Sequence, residues 1–98
     1  MLRILALFLL VFVFQPAFAG DVFAGKEVYK QHCQDCHGAT GRGELAMMPN
    51  FSRGEGIMKT DREMYRLILQ GKGIMPGYEG VLPDEDVDNV IAYLKTFL

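Results

Sequence analysis

The stretch Cys33-Gln34-Asp35-Cys36-His37 is the most informative part of this 98-residue chain. It has the form C-x-x-C-H, in which two thiols stand three positions apart and an imidazole follows the second thiol directly. Three positions are close to one helical turn. A helical turn here would therefore place both thiols on the same side of the chain, next to the imidazole.

We interpret this motif as the attachment site of one covalent haem c, bonded to Cys33 and Cys36 and ligated at the iron by His37. Three other interpretations are open. The thiols could form a redox-active disulfide, although no βαβ pattern surrounds them. They could bind zinc with His32 and His37, although four ligands within six residues cannot easily surround one tetrahedral ion. The motif could also be incidental in so short a chain.

Helical spacing of apolar residues occurs three times, and the alternation typical of strands is nearly absent. The first helix is predicted over about Asp21–Cys33, with Asp21 as its cap. The second is predicted over about 61–70 and begins with the capping-box form Thr60-Asp61-Arg62-Glu63. The third is predicted over about Pro83–Phe97. The expected fold class is all-α, with three main helices, short extra turns and long loops wrapped around one covalent haem.

Residues 1–19, MLRILALFLLVFVFQPAFA, contain 16 hydrophobic residues and a single charged one. The apolar run Ile4–Phe14 followed by Ala17-Phe18-Ala19 is typical of a secretory signal peptide with a small-x-small cleavage site. An uncleaved membrane anchor is the alternative, although Gln15-Pro16 interrupts the run before the roughly 20 apolar residues that a bilayer requires. We expect cleavage at this site, a periplasmic protein and no stable membrane insertion.

The remaining residues, 20–98, are expected to form a single domain. They carry nine basic and twelve acidic side chains, a net charge of −3 with histidine neutral. This length and charge argue against a multidomain enzyme and against a nucleic-acid-binding protein. A core of this size generally needs a cofactor, a metal, a disulfide or a partner for stability.

Residues 20–98 resemble a class I c-type cytochrome, a small monohaem electron carrier. The resemblance rests on the C-x-x-C-H motif near the start, on Met75-Pro76 late in the chain and on the closing helix with Val90–Leu94. In that family the first and last helices cross closely, a glycine of one fitting against an aromatic residue of the other. Gly25 in the first helix and Tyr93 in the last match this pattern.

Met58 and Met75 are the candidates for the second axial ligand, because each follows Gly-x-Gly-Ile. Met75 is followed by Pro76 and Gly77, which stiffen a turn. It also lies 38 positions after His37, enough for the chain to pass around the porphyrin. The resemblance agrees, since the family's distal ligand lies in a late Met-Pro loop. We predict Met75 as the ligand, with Met58 as the alternative and core packing as a third possibility for both.

The resemblance also implies a hydrogen-bond partner for the ligating histidine. A metal-bound imidazole normally donates its other N–H to an oxygen, and in this family the acceptor is a proline carbonyl in the loop after the motif. Pro49 is the matching residue. Arg53, Tyr65 and Tyr78 are candidates to contact haem propionates, with an ordinary surface role as the alternative.

The resemblance implies a periplasmic one-electron carrier that docks with donor and acceptor redox proteins, as a monomer or as a subunit of a redox complex, and that is not an enzyme. Its negative charge suits a partner with a basic docking patch. Two alternatives remain. One is a haem-bearing subunit permanently docked to a periplasmic dehydrogenase or oxidase. The other is a haem enzyme or sensor, which requires an open sixth position at the iron.

Overall fold

The structure, a computed structural model, describes residues 20–98. The signal-peptide prediction concerns residues 1–19 and lies outside the described residues. The first helix, α1, covers Val22–His32. The carboxylate of Asp21 caps it by accepting two amide N–H groups of the first turn at 2.8 and 3.2 Å. Such a cap satisfies amides that lack a partner inside the helix, and the sequence prediction for this helix is confirmed.

The other helices follow in the predicted order. A four-residue helix, α2 (Gln34–His37), is followed by α3 (Asp61–Gln70) and α4 (Asp84–Leu94). Short 3₁₀ turns cover Phe51–Arg53 and Lys95–Phe97, and the second of these extends α4 to its predicted end. The described residues contain no β-strand, so the all-α prediction is confirmed.

The boundaries of α3 follow from local side-chain chemistry. Thr60 Oγ1 accepts the N–H of Glu63 at 3.2 Å, which is the bond that the capping-box form predicts. At the other end, Gly71 leaves the helix with a φ of +71°, a conformation that glycine adopts without steric cost. The helix therefore covers the predicted residues.

Helices α1 and α4 cross in direct backbone contact. A Cβ atom on Gly25 would overlap the carbonyl group of Asn89 and would lie 3.0 Å from Cβ of Tyr93. The Asn89 side chain is buried and accepts the N–H of Asp21 at 2.8 Å. The ring of Tyr29 packs against that of Tyr93, with 5.2 Å between centroids. The predicted crossing of the first and last helices is thus present, with Gly25 at the point of closest approach.

The hydrophobic core lies between α4 and the elements packed on it. Tyr65 of α3 donates its hydroxyl hydrogen to Asp84 of α4 at 2.5 Å. The buried hydrophobic residues are Val28, Tyr29, Phe51, Ile57, Met64, Ile68, Leu82, Val87, Val90, Ile91 and Leu94.

None of the helices in residues 20–98 combines the length and apolar character needed to cross a bilayer.

Candidate functional site

The two cysteines lie where α1 ends and α2 begins. Cys33 is the junction residue, half-buried against the core, whereas Cys36 is exposed. Both are free thiols, so the structure does not contain the disulfide that one interpretation of the motif requires. Burial, with a smaller contribution from the charge of Cys36, raises the pKa of Cys33 to about 11. At neutral pH Cys33 is therefore a protonated thiol on the inner side of the turn.

His37 is the last residue of α2; its ring contacts Phe51, and the backbone that follows it is fixed by Tyr29. The imidazole stacks on the buried ring of Phe51, with centroids 4.6 Å apart and planes inclined by 23°. The carbonyl of the following residue, Gly38, accepts the hydroxyl hydrogen of Tyr29 at 2.5 Å. Burial lowers the pKa of His37, which favours the neutral imidazole that binds metals.

The Nδ1 atom of His37 is buried and has no hydrogen-bond partner among the described residues. The loop of Pro49 lies close by, because the amide of Gly43 donates to the His37 carbonyl at 2.8 Å. A Cβ on Gly43 would be 3.5 Å from the carbonyl oxygen of Pro49. The structure has no hydrogen bond between this oxygen and His37, so the role of Pro49 stays a prediction.

Met75 ends a tight turn that is fixed by its own backbone. Lys72 and Met75 exchange two N–H···O=C bonds of 3.0 and 3.1 Å. Met75 is half-buried and packs against the core, whereas Ile74 at the tip of the turn is 82% exposed. A Cβ on Gly71 would lie 2.5 Å from the Met75 carbonyl oxygen, so this close approach requires glycine.

The segment after Met75 is bound to the end of α3. The amide of Tyr78 donates to the carbonyl of Ile68 at 2.9 Å, and the amide of Glu79 donates to that of Leu69 at 3.2 Å. A Cβ on Gly77 would lie 2.6 Å from the Leu69 oxygen. The Met-Pro-Gly segment therefore lies directly against the last turn of α3, with little space for movement.

Tyr78 connects this segment to the cysteine motif. Its hydroxyl donates to the carbonyl of His32 at 2.8 Å, across 46 positions of sequence, and its ring meets that of His32 at a centroid distance of 5.8 Å. Burial, and then the charges of Cys33 and Cys36, raise the pKa of Tyr78. The structure thus brings the predicted distal-ligand loop next to the predicted attachment site.

The alternative ligand, Met58, has a different environment. It is 78% exposed, and its sulfur lies 3.0 Å from the position that a Cβ on Gly54 would take. It lines a shallow groove with residues of the α3 start and the end of the chain, including Thr60 and Leu98. Met64 is fully within the core. Nothing in this arrangement favours Met58 over Met75.

Two tyrosine hydroxyls have partners that the sequence did not indicate. Tyr65 and Tyr78 were candidates to contact haem propionates, yet both donate to protein oxygens. Tyr29 packs at the helix crossing and also fixes the residue after His37. The spacing of residues carries no signal for such bonds, because they join positions that only the tertiary path brings together.

The side chains that could attach a haem and ligate its iron are present. They are two unpaired thiols one turn apart, a neutral imidazole whose second nitrogen lacks a protein partner, and a half-buried thioether on an adjoining turn. No group of three or more His, Cys, Asp or Glu side chains within residues 20–98 is arranged to hold a metal ion. The zinc interpretation therefore has no ligand cluster to support it in the part of the chain that the structure describes.

Comparisons with known proteins agree with this fit. Residues 20–94 match the family described as "Cytochrome C oxidase, cbb3-type, subunit III". Cytochrome c6 of Picosynechococcus sp. is 34% identical over 97 residues, which is 86% of this chain and 80% of that protein. Cytochrome c-555 of Methylococcus capsulatus is also 34% identical, over 93% of this chain and 77% of that protein.

Solved structures give the same result. Cytochrome c6 of the diatom Phaeodactylum tricornutum superposes with a TM-score of 0.65 at 28% identity, over 79% of this chain and 93% of that one. Cytochrome cL of Hyphomicrobium denitrificans gives a TM-score of 0.66 at 26% identity, over 79% of this chain and 47% of that one. The chain belongs to the cytochrome c family and is a small c-type cytochrome.

Membership in this family settles the cofactor and the class of function. The protein binds a single covalent haem c, as the C-x-x-C-H motif predicts. It is an electron carrier and not an enzyme, so both of these predictions are confirmed.

Proposed function

We propose that Cys33 and Cys36 hold the haem through thioether bonds and that His37 and Met75 are its two axial ligands. In forming each bond the thiol adds across a vinyl group of the porphyrin, sulfur to one carbon and hydrogen to the other, so no oxidant is consumed. When bound, the haem supplies a one-electron ferrous–ferric couple. The side chains of this protein keep the iron closed to other ligands.

The observation that supports this assignment best is the bond from the Tyr78 hydroxyl to the His32 carbonyl. His32 directly precedes the first cysteine, and Tyr78 follows Met75 by three positions. The bond therefore joins the segment that follows Met75 to the residue before the motif, although Met75 is 38 positions beyond His37. Met58, in contrast, is exposed and lines a groove beside the start of α3.

Three features of the chain prepare the proposed ligands. The stacking of His37 on Phe51 fixes the plane of the imidazole. Its burial favours the neutral form. We also propose that the Pro49 carbonyl accepts the Nδ1–H of His37, because that atom is buried without a partner and ligating imidazoles normally donate to an oxygen.

We propose a periplasmic carrier that docks transiently with its donor and acceptor. The net charge of −3 over residues 20–98 favours a partner with a basic patch, and salt would weaken such an interface. The family description names an oxidase subunit, which favours a permanently docked module as the second candidate. Sedimentation of the protein in periplasmic extract separates the two: a free carrier sediments as a small protein, whereas a docked subunit sediments with its complex.

Replacing Met75 with alanine is expected to abolish the far-red charge-transfer band that a methionine–iron bond gives to the ferric protein. Met58→Ala is the matched control, because both methionines follow Gly-x-Gly-Ile. It should keep the full band. Methionine ligation raises the reduction potential, so the potential should fall only in the Met75 variant. If the band survives Met75→Ala and disappears in Met58→Ala, the ligand assignment is wrong.

A further inference from the structure

The hydrogen bond of the Tyr78 hydroxyl, which supports the assignment of Met75, also constrains the segment that carries this residue. It is a single hydrogen bond of 2.8 Å to a backbone carbonyl, that of His32. The Tyr78 ring is half-buried and packs against the core and edge-on to the His32 ring. The bond therefore joins two packed segments, one of which leads into the cysteine motif and the other of which follows Met75.

The four residues 75–78 are constrained at several points. Met75 is closed into its turn by two backbone bonds, Gly77 fits against the Leu69 carbonyl, and the Tyr78 amide donates to Ile68. Proline at position 76 restricts the backbone further. Withdrawal of the Met75 side chain by a movement of its backbone therefore shifts Tyr78 as well, and such a shift stretches or breaks the hydroxyl bond to His32.

We propose that Tyr78 is a positioning residue that keeps Met75 on the iron, with its hydroxyl bond opposing displacement of the ligand. This inference rests on the proposed ligation by Met75. A phenylalanine at position 78 would lack the hydrogen bond to the His32 carbonyl while retaining the ring and its packing. Removing the hydroxyl should thus raise the population of molecules in which Met75 is detached.

Tyr65 provides a matched control within the same chain. Its hydroxyl also makes one hydrogen bond between separate elements, from α3 to Asp84 at the start of α4. Neither of its connected segments contains a proposed ligand. A tyrosine-to-phenylalanine change at position 65 therefore also removes a hydroxyl bond between elements, here one to a carboxylate, without touching the Met75 segment.

The experiment compares the wild type, Tyr78→Phe and Tyr65→Phe. Each ferric holoprotein is titrated with imidazole at fixed pH, and binding is measured by the loss of the far-red band. Imidazole binds when Met75 is detached, so its apparent affinity follows the population of that state. Loss of one hydrogen bond should tighten apparent imidazole binding about threefold to tenfold in Tyr78→Phe. Tyr65→Phe should bind imidazole as the wild type does, while its thermal unfolding should fall at least as far as that of Tyr78→Phe, because it loses a bond to a carboxylate.

The outcomes separate this inference from the proposed ligation. If wild-type ferric protein lacks the band, ligation by Met75 fails first. If the band is present and both variants bind imidazole equally, Tyr78 is merely structural and the inference is overturned. NMR of the wild-type ferrous protein provides a test without any variant: the ring protons of Tyr78 should show NOEs to the ring of His32, whose centroid lies 5.8 Å away, and the absence of these NOEs would contradict the contact.

Discussion

Replacing Cys33 and Cys36 together with serine is expected to give a colourless protein without a cooperative unfolding transition. Residues 20–98 have a small buried core. The chain between α2 and α3, and between α3 and α4, runs mostly as loops rather than helices. Small domains bury too little apolar surface to remain folded without added support. The covalent haem provides that support, so its loss should remove the folded state rather than weaken it.

Visible absorption and far-ultraviolet circular dichroism during heating are the measurements for this variant. Asp35→Ser is the control, because residue 35 is exposed, lies between the two cysteines and leaves both thiols in place. The control should be coloured and should unfold sharply near the wild-type temperature. A sharp thermal transition in the haem-free double variant would show that the protein core is sufficient by itself.

Replacing Gly25 with alanine is expected to destabilise the protein by about 2 kcal/mol or more, although the same change favours isolated helices. Alanine exceeds glycine in helix propensity by about 1 kcal/mol. Here, however, the added methyl group would overlap the Asn89 carbonyl and press on Tyr93. Overpacking of this kind costs roughly 1–3 kcal/mol, sometimes more. The overlap cannot easily be relieved, because the methyl group on one backbone would meet the backbone of the other helix. The midpoint of thermal unfolding should fall by on the order of 10 °C.

Ala24→Gly in the same helix is the control for propensity. It should lower stability by about 1 kcal/mol through the intrinsic cost of glycine, together with a small loss of packing because Ala24 is half-buried. The sign of the Gly25 effect is decisive, since a gain in stability would mean that α1 and α4 do not approach as closely as the structure shows. Thermal unfolding of the two holoprotein variants, followed by circular dichroism, measures both effects.

The three long helices could be predicted because their determinants are local. Asp21 and Thr60 cap the helices that they precede, and apolar residues recur at helical spacing within each. The helix α2 has only four residues, too few for any periodicity to appear. Its presence depends on the turn that the motif makes after Cys33.

The parts of the site that the sequence could not provide are long-range contacts. The side-chain oxygen Oδ1 of the buried Asn89 accepts the backbone N–H of Asp21, which lies 68 positions away. The stacking of His37 on Phe51 and the bond from Tyr78 to His32 likewise depend on the path of the loops. The sequence separates Met58 from Met75 only by the residues that follow them and by their distance from His37, whereas the difference in exposure becomes visible only in the tertiary arrangement.

The most direct test of the proposed site is the absorption spectrum of the purified wild-type protein in both oxidation states, with and without carbon monoxide. Ligation by His37 and Met75 predicts a low-spin c-type spectrum, a far-red band in the ferric form and no change of the ferrous spectrum on adding carbon monoxide. A high-spin ferric spectrum together with rapid carbon monoxide binding would contradict the account, because it would reveal an open position on the iron.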